Sequence, residues 1–239
     1  MATTQTTVRD IAIEQPTSIR VFEQYGIDYC CGGRRPLAEV CEERSLQIDE
    51  VLAAIANTAA QQPPAGPDWM STQLEAICDH IVRTHHAYIR QELPRLHALA
   101  QKVVARHGSL HPELPQIQQL VGDVGNDLLS HLAKEEMMLF PYITNLERNL
   151  ATCGPTSFGC AGSVRNPIHV MMAEHDVAGG ILAQIRKLSS DYTPPESACP
   201  TYRGFYQSLL EFEQDLHQHV HLENNILFPR AIELEESYG

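Results

Sequence analysis

The sequence predicts an all-α protein, an antiparallel four-helix bundle preceded by a small helical N-terminal domain. Four long segments, roughly residues 71–107, 115–149, 166–189 and 201–235, place apolar residues at three- and four-residue intervals. Strand-like alternation is almost absent, and breakers rich in proline and glycine separate the four segments. The 239 residues hold one sizeable core plus an appendage, at about 150 residues per domain.

The appendage comes first. VRDIAIEQ, TSIRVFEQYG, PLAEVCEERSL and QIDEVLAAIANTAA are short helical patterns, with Thr17 or Ser18 as N-cap and Gly26 as the residue that ends the second of them. Residues 1–60 therefore read as a small helical domain. QQPPAGPD cannot continue a helix, so residues 61–70 read as a Pro-rich linker that lets the small domain move relative to the bundle at residues 71–239. Within the bundle the breakers are Gly108 to Pro115, ATCGPTSFGCAGSVRNP and SSDYTPPESACP.

Composition narrows the function classes. Seventeen basic against thirty acidic residues leave a net charge of −13, which repels phosphate backbones and anionic lipid heads, so neither nucleic acid nor a membrane is an expected partner. No apolar run approaches the roughly 18 residues a spanning helix needs. The start, MATTQTTVRDIAIEQ, has neither a basic nor an apolar export region, which predicts a cytoplasmic protein. Seven cysteines are an odd count spread over a long chain, which predicts reduced thiols rather than a disulfide framework.

The twelve histidines carry more information, through an internal repeat. His131 and Glu135 precede Leu139-Phe140-Pro141, and His219 and Glu223 precede Leu227-Phe228-Pro229, so HxxxExxxLFP occurs twice, 88 residues apart. His86 lies 45 residues before His131 and His175 lies 44 before His219. The bundle thus reads as two related helix pairs, each bringing one lone His and one His-x-x-x-Glu.

Residues four apart share a helix face, so such a His and Glu reach one ion or two adjacent ions. The apolar stripes point these groups inward. They run Val82, His86, Ile89, Leu93, Leu96 in the first long helix and Leu120, Val124, Leu128, His131, Glu135, Met138, Tyr142 in the second. In the third they run Ile168, Met171, His175, Ala178, Leu182, Ile185, and in the fourth Leu209, Phe212, Leu216, His219, Glu223, Ile226. Four imidazoles and two carboxylates converge on one core. An unpaired carboxylate in an apolar interior costs several kcal/mol, and a metal pair relieves that cost. Imidazole plus carboxylate without thiolate suits iron, manganese or zinc, with iron selected for its redox chemistry. Two carboxylates are the right number to bridge two ions that hold two histidines each, with positions left for oxo, water, O2 or NO.

Other residues rank lower. His217 and His221 lie about 160° around the helix from His219 and are expected to face solvent. His85 adjoins His86 but is off the stripe, and His80, His97, His107 and His111 fall in polar or breaker contexts that predict the surface. Glu136 and Glu174 flank ligand positions, where they can orient an imidazole or line an ion path. Cys30 and Cys31 sit with Gly32 and Gly33 on a turn after a helix end; adjacent cysteines bridge only through a strained ring, so the pair reads as exposed thiols for a soft metal or for exchange. Cys153 and Cys160 lie in the loop joining the two halves, and Cys41 and Cys78 fall in helical segments where they can pack.

GIDYCCGG in a short helical domain, followed by THHAYIRQELP, HLAKEEMMLFP, MMAEHDVAG and HVHLENNILFPRA, closely resembles the di-iron iron-sulfur cluster repair family, also called repair of iron centres proteins. The likeness runs over nearly the whole chain; the C-terminal part is hemerythrin-like and the N-terminal part resembles the domain with paired cysteines. The resemblance implies two non-haem iron ions, oxo- or hydroxo-bridged, on His86, His131, Glu135, His175, His219 and Glu223, with both glutamates bridging. It implies restoration of clusters damaged by nitric oxide or oxidants in client iron-sulfur proteins of a bacterial cytoplasm, and admits a homodimer. The Cys153 to Cys160 loop is not part of the family pattern. The leading expectation is a repair protein that supplies or relays iron, with Cys30 and Cys31 as a thiol relay. The rivals are nitric oxide reduction at the di-iron site and a hemerythrin-like carrier or sensor of O2 or NO.

Overall fold

The computed structural model describes residues 2–61, 67–152 and 163–237. Eight helices are present among them and no extended strand; the single β-bridge joins Thr7 and Pro36. Four short helices come first: α1 (Val8–Glu14), α2 (Ser18–Tyr25), α3 (Leu37–Glu43) and α4 (Ile48–Gln61). The Thr7 hydroxyl accepts the Asp10 amide at 3.1 Å and caps α1. Gly26 ends α2 at φ +63°, a left-handed conformation open to glycine.

Four long helices form the bundle. α5 runs through Leu74–Ile81, Val82–His86 and Ala87–His107, and α6 through Glu113–Lys134, Glu135–Leu139 and Phe140–Thr152. α7 is Arg165–Leu188, and α8 runs through Pro200–Leu222, Glu223–Leu227 and Phe228–Glu236. These match the four periodic segments to within a few residues at each end. Residues 62–66 of the expected linker, and Cys153 and Cys160, lie outside the described residues.

The middle segments of α5, α6 and α8 are single wide π turns, at Val82–His86, Glu135–Leu139 and Glu223–Leu227. Each abuts a histidine or glutamate of the repeat, as such turns often do at functional sites. The wide turn shifts the phase of everything after it, which corrects the stripe read for α6. Met138 is 69% exposed, and Leu139 and Phe140 take the buried face instead.

The apolar interior falls into two clusters with the polar core residues between them. One contains Ile89, Leu128, Leu132, Ala178 and Val220 and continues into the N-terminal helices through Phe22, Tyr29 and Leu37. The other contains Ile81, Leu139, Met171, Ile226 and Phe228. The small domain therefore shares a core with the bundle, and no helix among the described residues is long and apolar enough to cross a membrane.

Candidate metal centre

The six residues picked out by periodicity come together. His86, His131, Glu135, His175, His219 and Glu223 are each at most 2% exposed. They divide into two donor groups, His86, Glu135, His219, Glu223 and His131, Glu135, His175, Glu223, so both glutamates belong to both groups.

The two oxygens of each carboxylate are divided between the groups. Glu135 Oε2 lies 3.4 Å from His86 Nε2 and its Oε1 lies 3.3 Å from His131 Nε2. Glu223 Oε1 lies 3.0 Å from His219 Nε2 and its Oε2 lies 3.1 Å from His175 Nε2. Across the repeat, His86 Nε2 stands 3.2 Å from His219 Nε2, and His131 Nε2 stands 3.0 Å from His175 Nε2. Neighbouring donors on bonds of about 2.1 Å at right angles are about 3 Å apart. The donor spacing therefore fits two metal ions. The donor chemistry agrees: Glu135 Oε1 and Oε2 and Glu223 Oε2 are buried oxygens with no hydrogen-bond partner among the described residues, an arrangement that is costly unless a cation completes it. Burial opposes ionisation of Glu223, but the His219 and His175 imidazoles outweigh it and hold its carboxyl well below the usual range.

Three of the four outer ring nitrogens are held by groups that follow the repeat, and His219 Nδ1 has no hydrogen-bond partner among the described residues. His86 Nδ1 donates to Glu136 Oε1 at 2.7 Å, and Arg90 donates to the same oxygen. His131 Nδ1 donates to Glu174 Oε2 at 2.9 Å, and Lys134 pairs with that carboxylate. The surface glutamates read from the sequence as flanking residues thus orient two imidazoles. In the second half, His175 Nδ1 donates to Asn224 Oδ1 at 2.9 Å, while His85 stacks on His219 at 5.6 Å between ring centres. Asn224 and His85 stand where the repeat places Glu136 and Glu174. Sequence reasoning missed Asn224, although its alignment with Glu136 was the available signal. The LFP motifs also acquire a reason: Phe140 lies flat against His86, and Phe228 against His175.

The remaining expectations need correction in part. His217 and His221 do point away from the metal centre, but they do not face solvent. His221 is buried against Tyr29 and meets Asn225 Nδ2 at 2.9 Å, and His217 Nδ1 donates to Glu23 at 3.0 Å. The small domain covers that face of α8, and periodicity fixes only a direction relative to the bundle axis. His80, His97, His107 and His111 are half-buried; the His80 ring packs on Trp69 and His107 Nε2 lies 3.2 Å from Cys199 Sγ. Cys41 and Cys78 are buried as expected.

Cys30 is buried and Cys31 half-buried, their sulfurs 3.7 Å apart. The pair is less exposed than its glycine-rich turn suggested because the turn packs on the bundle. Asp28 accepts the amides of Cys30, Cys31 and Gly32 at 2.8 to 3.0 Å and shapes the turn. The Cys31 sulfur and burial push the Cys30 thiol well up. A cavity of about 670 Å³ is lined by Asp28, Cys30 and Cys31 on one side and by His175 on the other.

Residues 78–231 match the model of the hemerythrin HHE cation binding domain, and residues 4–59 match a domain of unknown function, DUF542. Proteins named iron-sulfur cluster repair protein YtfE, from Escherichia coli O81 (strain ED1a), Escherichia coli O1:K1 / APEC and Escherichia fergusonii, are each 36% identical over 224 residues, covering 93% of this chain and 94% of the relative. The chain belongs to the hemerythrin-domain iron-sulfur cluster repair family. In this member of the repair family, the hemerythrin match spans all six buried donors, and the N-terminal match contains Cys30 and Cys31.

Proposed function

We propose that the protein holds two non-haem iron ions between His86, His131, Glu135, His175, His219 and Glu223. By supplying or relaying iron, it repairs iron-sulfur clusters damaged by nitric oxide or oxidants in a bacterial cytoplasm. The observation that carries this reading is the sharing of both buried glutamates by two donor groups, one carboxylate oxygen for each. Imidazole and carboxylate without thiolate suit iron, manganese or zinc, and of these iron is the metal a damaged cluster lacks. Kinship with proteins named for cluster repair supports the same choice.

When bound, the two irons would supply redox chemistry and open coordination positions for small gases. The chain's own residues do the rest. Glu136, Glu174 and Asn224 fix ring orientation, and Phe140 and Phe228 pack flat against His86 and His175. The cavity shared by the paired thiols and His175 supports a part for Cys30 and Cys31 in passing iron between the centre and a client.

The test is recovery of a cluster-dependent hydro-lyase inactivated by nitric oxide. Iron-loaded protein should restore its activity, and Glu135→Leu or His219→Leu protein should not. Steady turnover of nitric oxide with a reductant, and no recovery of the client, would place the function in gas reduction instead.

A further inference from the structure

The two halves of the repeat differ at two positions beside ligand histidines, Glu136 against Asn224 and Glu174 against His85, and the first difference bears on the thiol turn. Glu136 accepts from His86, and a carboxylate can only accept, so its remaining capacity meets Arg90 at the surface. Asn224 accepts from His175 in the same way, but an amide also has a donor. Its Nδ2 donates to the main-chain carbonyl of Cys30 at 3.4 Å. The next residue repeats the contact: Asn225 Nδ2 donates to the Tyr29 carbonyl at 2.9 Å, and the Asn225 carbonyl accepts from Arg9 at 3.2 Å. Both amides are 5% exposed, where losing a partner is costly. The wide turn at Glu223–Leu227 carries Glu223, Asn224 and Asn225 together, so one turn of α8 touches the metal centre and the thiol turn at once.

We infer that Asn224 is a positioning residue that couples the Cys30-Cys31 turn to the His175 side of the metal centre, so that metal occupancy and thiol accessibility change together. The inference rests on the metal reading of the six buried donors. With His175 Nε2 engaged, its Nδ1–H is fixed toward Asn224 Oδ1, which turns the amide nitrogen toward Cys30 and holds the turn closed. Without metal, Nε2 can itself carry the proton toward Glu223 Oε2, 3.1 Å away, and Nδ1 then gives Asn224 no donor, so the amide loses the bond that orients it. Coupling of two sites is reciprocal, so a client that opens the thiol turn would loosen His175.

The experiment is alkylation of Cys30 and Cys31 by iodoacetamide, mapped by peptide mass, in anaerobic full-length protein with and without ferrous iron, with iron content measured in parallel. Buried Cys41 and Cys78 serve as controls for unfolding. Iron should slow alkylation of the pair at least threefold in the natural protein. Asn224→Asp keeps the acceptor for His175 and removes the donor, so it should retain iron while its alkylation rate becomes the same in both states. Asn224→Ser, too short to reach either partner, should also show one alkylation rate in both states when compared at iron levels that fill its weakened centre, and it serves if the Asp variant fails to fold. Two bound irons with no effect on alkylation, or a full iron effect in Asn224→Asp, would overturn the coupling alone. A chain that binds no iron would overturn the metal reading as well.

Discussion

His131 donates from Nδ1 to Glu174 Oε2 at 2.9 Å, and Lys134 closes on the other oxygen of that carboxylate. An imidazole held this way presents Nε2 to the centre in one tautomer and one orientation. Glu174→Gln leaves a weaker neutral bond in place of the charged one. Its expected effect is a loss of metal affinity of about tenfold or more, read by competition with a chelator, and Glu136→Gln at His86 should behave alike. Unchanged affinity in both would show that these carboxylates are only surface partners of Lys134 and Arg90.

Removing a donor and removing a neighbour on the opposite face of α8 should have separate consequences. His219→Leu or Glu223→Leu should strip most of the iron, because Glu223 serves both donor groups. His221→Leu should keep the iron yet destabilise the protein by about 1 to 3 kcal/mol, since it leaves the buried Asn225 amide short of a partner. Iron content and a urea titration on the same samples distinguish the two patterns.

Gly33 has no room for a side chain. A Cβ there would lie 2.7 Å from the Tyr29 carbonyl oxygen and 3.2 Å from the Arg9 nitrogen, and Arg9 donates to the Gly33 carbonyl at 2.7 Å. Gly33→Ala should therefore push the thiol turn off α1 and cost about 1 to 3 kcal/mol. Thermal melting of the iron-free variant checks it; a melting temperature equal to the parent's would mean that the turn yields freely.

Glu235 gives the iron-free protein one component of its acid sensitivity. Burial raises its carboxyl, but the Ser163 hydroxyl, the Val164 amide and the Tyr142 hydroxyl outweigh that and hold it below the ordinary carboxylate range. Between that lowered value and about 4.3, the ordinary Glu value, the unfolded chain binds more protons than the folded one, so stability rises with pH. The contribution is complete above the ordinary value and is lost as pH falls through the folded one. The urea midpoints of the natural protein and Glu235→Gln should differ at pH 6 and converge toward pH 3.

Much of this architecture is written in spacing. The three-four alternation located all four long helices and all six buried donors, because helical period and burial report the same face. What it could not carry is a change of period. One wide turn after Glu135 moves Met138 to solvent and Phe140 onto His86. Nor does periodicity say what covers an outward face: the spacing places His221 in solvent, whereas Tyr29 packs against it. Asn224 was hidden because a lone amide has no spacing of its own, and its alignment with Glu136 gains meaning only once both are seen to hold a ligand histidine.

The central claim is that Glu135 and Glu223 serve two ions at once, and metal counting tests it most directly. Protein loaded anaerobically with ferrous iron and freed of excess should contain two irons per chain, and the Glu135→Leu, Glu223→Leu double variant should contain almost none. One ion per chain at saturation, or two irons retained in the double variant, would contradict the account.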